Sequence, residues 1–326
     1  IGSAVNSTRQ KDLKQLLVDF SPNFTGEVTE VGDSRYANGI NQERDLDVSI
    51  SASINPTTNL RLYSGAVPTS ETGIYQFSST YGSLHAAAWD QDEMRPSIIS
   101  NSYDDSYFAR PDSPFLRAYR QLFEDLALQD VTLVSASGDH GSNADVSVQQ
   151  AGSEISLGNG LANTQQFNAN GYGLVVGGTS LSTKSAAQSD STLISIYEAA
   201  RANDRFVLWK LIQGGLKSPW SELNSYDRFL ETVMNIYNVV NSEIYHFLSE
   251  GASAGGVDPT QPVPRYQLNY GLVPTTDAPA PEVGRGMPDV AANGGGNFTY
   301  KSINSNDDKD ITTFEGTSAA APVWAS

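Results

Sequence analysis

The run Phe314-Glu315-Gly316-Thr317-Ser318-Ala319-Ala320-Ala321-Pro322-Val323-Trp324-Ala325 holds the residues of greatest chemical promise. Glycine ahead of Thr-Ser permits a tight bend with φ > 0, and the small residues after Ser318 let a helix begin close against neighbouring backbone. A serine hydroxyl then stands at a helix N-terminus, near the positive end of the dipole. The same pattern describes an ordinary helix capped by Thr or Ser, so the turn alone does not establish catalysis. The hydroxyl needs a base.

The Gly-Thr-Ser-Ala-Ala-Ala-Pro run resembles the nucleophile signature of the subtilisin clan, whose base is a histidine followed by Gly-Thr-His. The chain has His85, His140 and His246. None stands in that context, and each reads as a surface or helix-face histidine. A carboxylate is the remaining candidate. In the stretch from Glu43 to Asn55, a helix ended by Pro56 sets Glu43 and Asp47 one turn apart on one face. Leu46, Ile50 and Ile54 form an apolar stripe beside them. Two such carboxylates repel when both are ionised, so they share a proton and their titrations separate. The pair keeps a usable base in acid, where histidine is already protonated. Taken alone, the two also fit an acidic helix N-terminus favoured by the dipole. Asp139, in Ser135-Ala136-Ser137-Gly138-Asp139-His140-Gly141, is the third carboxyl group. When protonated it can donate to an oxyanion, although a structural turn aspartate suits Gly-Asp equally well.

These groups need a frame that delivers them to one place. Ser97–Ser102 and Val131–Ala136 are short, apolar, β-branched runs, each ending in small or polar residues, as buried parallel strands do at a site. Between them, Pro114–Asp130 carries an apolar stripe at helical spacing, which predicts a right-handed βαβ unit. Tyr172–Val176 predicts a third strand and Met287–Ala292 a fourth, the latter after a Pro-rich loop from Val257 to Val283. Leu193–Ser249 reads as two or three helices, an insertion spanning about residues 190–250 packed on the main core. No internal repeat or low-complexity tract is evident.

At 326 residues the chain can bury one large core or two ordinary ones. With 20 basic and 37 acidic side chains, its formal net charge is −17. That field repels nucleic acid and anionic membranes, which are not expected as partners. It also suits acidic surroundings, where protonation relaxes self-repulsion. The absence of cysteine excludes disulfides, thiolate metal sites and a cysteine nucleophile. No apolar run is long enough to span a membrane.

Taken together, Glu43-Arg44-Asp45-Leu46-Asp47, Ser137–Gly141 and Gly316–Pro322 resemble motifs of the sedolisins, the serine-carboxyl peptidases. Further similarity lies in Val176–Leu181, Pro264–Gln267 and Arg285–Val290, so the likeness spans roughly Asp33 to Ala325 in the family's order. The resemblance implies a subtilisin-like parallel sheet flanked by helices in one peptidase domain over residues 1–326. It implies hydrolysis of peptides or unfolded proteins at acidic pH, as an endopeptidase or tripeptidyl peptidase. By position, Ser318 is the expected nucleophile, Glu43 the general base, Asp47 its orienting partner and Asp139 the oxyanion stabiliser. Gly255 and Gly256 match a glycine-rich strand that binds substrate. His140 stands where the family has Ser, and Tyr103 where many members have Trp. Calcium is expected from the family, but its C-terminal ligand segment has no counterpart before Ser326, so no metal residue is assigned. The resemblance thus implies a fragment incomplete at its C-terminus, with a prodomain or second chain as a partner and secretion or an acidic compartment as its location. A catalytically silent scaffold domain is the competing expectation.

Overall fold

A computed structural model describes residues 7–31, 42–63, 79–104, 113–139, 141, 167–183, 229–234, 237–240, 243–247, 252–276, 280–296, 298–304 and 311–326. The chain opens with α1 (Ser7–Phe20), β1 (Val28–Val31), α2 (Gln42–Ile54), β2 (Leu60–Tyr63) and α3 (Ser79–Ala88). The predicted βαβ unit follows as β3 (Ile98–Asn101), α4 (Pro114–Leu128) and β4 (Thr132–Ala136), with β3 and β4 adjacent and parallel. Ser113 starts α4 by accepting the Leu116 N–H at 3.2 Å, and Pro114 occupies its first position, where no N–H is needed. Next come β5 (Leu174–Thr183), β6 (Phe229–Val233), β7 (Tyr237–Val240), β8 (Glu243–Phe247) and β9 (Gly256–Asp258). The chain closes through α5 (Arg265–Asn269), β10 (Arg285–Met287), β11 (Val290–Gly296), β12 (Tyr300–Ile303), β13 (Ile311–Phe314) and α6 (Thr317–Ala325).

The central sheet has the order β11-β5-β4-β3, all parallel, flanked by helices as expected for an α/β chain. Neighbouring residues of β4 point to opposite faces and reach separate cores. Leu133 packs with Ile99, Leu122, Phe123 and Leu126 beneath α4, and Leu84 of α3 joins them. Val134 and Ala136 turn the other way and meet Val176, Ala320 and Ala321. Helix α6 thus lies directly on the sheet, which its alanines allow.

Two expectations are corrected here. Phe229–Val240, predicted as helix, forms β6 and β7, and His246 lies in β8. Strand β6 pairs antiparallel with the second half of β5, and β7 pairs with β8. Short runs of aromatic and β-branched residues fit either period, and the open edge of β5 decides. Leu193–Tyr226 lies outside the described residues. Ile54 is the other exception: Leu46 and Ile50 pack against Ala319, but Ile54 is 48% exposed at the end of α2.

Candidate active site

Parallel strands deliver their C-terminal ends to one edge of a sheet. Here β3 runs into Ser102, and β4 into Ser137-Gly138-Asp139. The Gly316-Thr317-Ser318 turn meets that edge by backbone pairing, with the Gly316 N–H donating to the carbonyl of Gly294 in β11's bulge. Gly316 has φ 131° and ψ 166°, and a Cβ built there would lie 2.8 Å from Asp139 Oδ2. Only glycine fits both the backbone and the space.

The β4 turn and the Gly316-Thr317-Ser318 turn then clasp each other. The Thr317 N–H donates to Asp139 Oδ1 at 2.7 Å, and the Gly138 N–H donates to the Thr317 hydroxyl at 3.0 Å. Asp139 therefore caps α6 from another strand, filling a role that Gly316 has no side chain to fill. Ser318 follows at the second position of the helix.

Helix α2 brings the remaining carboxyl groups. Leu46 and Ile50 fix it against Ala319 of α6, so Glu43 reaches Ser318 and their side chains are hydrogen-bonded. Burial, outweighing the Ser318 hydrogen bond and reinforced by the nearby Asp139 carboxyl, holds Glu43 above the ordinary glutamate range. Asp47 is more deeply buried, and that burial, together with the Glu43 charge, pushes its carboxyl well above the usual aspartate range. Glu43 Oε1 and Asp47 Oδ2 are both buried with no hydrogen-bond partner. Neighbouring Arg44 is bound to Asp45 at 2.7 Å. The two carboxyl groups thus form a desolvated, mutually repelling pair in which one proton is retained far more readily than in water.

Glu43, Asp47, Asp139 and Ser318 are therefore gathered from α2, the β4 turn and α6 into one place. Gly255 and Gly256 lie beside it in a segment tied to the Asp139 turn. The Ala254 N–H donates to the Gly138 carbonyl and the Ala252 N–H to the Asp139 carbonyl, at 2.8 and 3.0 Å. Gly255 admits the Met287 carbonyl and Pro288, and Gly256 pairs with Met287 across β9 and β10. His85 is exposed on α3 between the rings of Tyr81 and Trp89, and His140 is outside the described residues.

Sequence reasoning missed Ser102, whose hydroxyl donates to Asp47 Oδ1 at 2.9 Å. It also left two stretches of similarity without a role. Tyr266 and Gln267 donate to Asp289 Oδ1, while Arg285 and the Val175 N–H donate to Oδ2, all within 3.1 Å. Pro264–Gln267 and Arg285–Val290 are thus two halves of one network that anchors β11 and α5 to β5.

Among solved structures the chain is similar to a Pseudomonas sedolisin, a serine-carboxyl proteinase complexed with two molecules of pseudo-iodotyrostatin. The TM-score is 0.60 at 18% identity, covering 99% of this chain and 70% of that one. The fold is sedolisin-like. No family model matches the sequence, and no curated protein matches it. Within the sedolisin-like frame, the described residues hold no group of three or more His, Asp or Glu side chains placed to bind a metal ion. None of the described helices is long and apolar enough to cross a membrane.

Proposed function

We propose that this chain is a serine-carboxyl peptidase that hydrolyses peptide bonds in acid through an acyl-enzyme on Ser318. One observation carries the reading: Ser318, at the start of α6, is hydrogen-bonded to the half-buried Glu43, which lies one helical turn from the buried carboxyl of Asp47.

Burial raises both carboxyl groups, so the pair keeps a proton in acid, and the chemistry runs from the form in which Glu43 is charged. Glu43 takes the Ser318 hydroxyl proton as Oγ bonds to the scissile carbonyl carbon. The carbonyl π pair moves to oxygen, and a protonated Asp139, oriented by Thr317, donates to that oxyanion. Glu43 then gives its proton to the leaving nitrogen and the C–N bond breaks, leaving the acyl group on Ser318. Water enters, Glu43 removes its proton, and hydrolysis retraces the same steps. Calcium, implied by the family resemblance, finds no donor set among the described residues, and no step is assigned to it.

The substrate class is a peptide or an unfolded protein, and the site of action is outside the cell or in an acidic compartment. Activity on an unfolded protein at acidic pH tests the reading. Ser318→Ala and Glu43→Gln are each expected to abolish turnover while circular dichroism stays unchanged. Turnover that survives Ser318→Ala defeats the reading, and a wild-type chain that folds and cleaves nothing leaves the silent scaffold reading in its place. A rate that climbs steadily toward neutral pH points instead to a histidine base.

A further inference from the structure

Ser102 follows β3 and stands between the nucleophile helix and the carboxyl pair. Its hydroxyl has one proton and faces two acceptors, Asp47 Oδ1 at 2.9 Å and the Ser318 carbonyl at 3.4 Å. That carbonyl is open for a reason written in the sequence. In a regular helix it would accept the N–H four residues on, but that residue is Pro322, which has none. A proline inside α6 therefore leaves the backbone of the nucleophile itself free to take a side-chain donor.

The other end of the bridge is equally constrained. Asp47 is buried, Oδ1 is engaged by Ser102, and Oδ2 has no partner. The Ser102 contact therefore fixes the rotation of the Asp47 carboxyl group. Among the described residues, Glu43 is the charged side chain that raises Asp47, and it does so from the same helix.

We infer that Ser102 is a positioning residue for the proposed peptidase, holding Asp47 and the Ser318 backbone in one register so that Glu43 meets the nucleophile in its productive geometry. The inference rests on the peptidase reading. It goes beyond that reading because Ser102 touches no reacting atom. It acts through Asp47, so its loss slows chemistry without weakening substrate binding.

The test is steady-state kinetics of the full chain on an internally quenched peptide that the wild type cleaves. Ser102→Ala is expected to lower kcat about 10- to 100-fold, the cost of a misplaced catalytic group, with little change in KM. Ser102→Thr, which keeps the hydroxyl, is expected to restore most of that loss. Because Ser102→Ala and Asp47→Ala remove the two ends of one hydrogen bond, the double variant should be little slower than Asp47→Ala alone. Three results overturn the inference: unchanged kcat in Ser102→Ala, losses that multiply in the double variant, or a Ser102→Ala protein that does not fold. A wild type without activity instead defeats the peptidase reading itself, so the two failures are distinct.

Discussion

Glu43 and Asp47 are ordinary residues in water, with carboxyl groups that ionise well below neutrality. On the buried face of α2, neither is. Removal from water raises both, helped at Asp47 by the Glu43 charge and at Glu43 by the Asp139 carboxyl. The rate is therefore expected to rise with pH as Glu43 loses its proton, at a value above the ordinary glutamate range. It should fall again as the raised Asp47 carboxyl loses the pair's remaining proton. A pH–rate profile checks both limbs. Stability follows the same sign. The folded Asp47 binds its proton more tightly than the unfolded chain does, so this contribution to stability is fully present below the unfolded value of 3.8 and lost as pH rises through the raised folded value. Asp47→Asn should match the wild type at about pH 3 and exceed it at about pH 7, because asparagine has no charge to bury. Urea unfolding at the two pH values measures this.

At the scale of elements, α6 carries the site, and each part of its sequence has a mechanical cause. Gly316 makes the turn, Thr317 clasps the β4 loop, three alanines let the helix touch the sheet, and Pro322 frees the Ser318 carbonyl. Gly316→Ala meets two penalties at once: a backbone region that L residues avoid and a contact with Asp139. The backbone alone costs about 1–3 kcal/mol. Denaturant unfolding should show at least that loss, and peptidase activity should disappear because the clasp orienting Asp139 is displaced. The strand–helix–strand core was legible because β3, α4 and β4 each show a clean period and clear boundaries. Strand β6 was not legible, since its pairing depends on an edge of β5 that local sequence does not contain.

For the whole molecule, the parts distant in sequence are held in register by a few polar anchors within the apolar cores. Asp289 is the best supplied, taking donors from α5, β10 and β5 at once. Arg285 is wholly buried, and Asp289 carries the countercharge. Asp289→Ala would leave that guanidinium without its carboxylate, and removing one partner of a buried pair costs about 3–5 kcal/mol. A lowered urea midpoint, with any residual kcat little changed, is the expected result. The net charge of −17 acts in the same direction as Asp47, since protonation in acid lowers the self-repulsion of the folded chain.

The Gly316-Thr317-Ser318 turn, the carboxyl pair one helical turn apart, helix α4 and the strands β3 and β4 were all determined by sequence, because each depends on residues within a few positions of one another. The lack of any histidine in a base context was equally legible, and it directed attention to acid chemistry. Tertiary structure alone decided that α2 packs on α6 and so brings Glu43 to Ser318 across 275 residues, the separation of 43 and 318 in the chain. It also decided that Asp139 caps a helix it does not belong to, and that Ser102 bridges the two. These are side-chain contacts between elements, set by which apolar faces bury each other, and no local period encodes them.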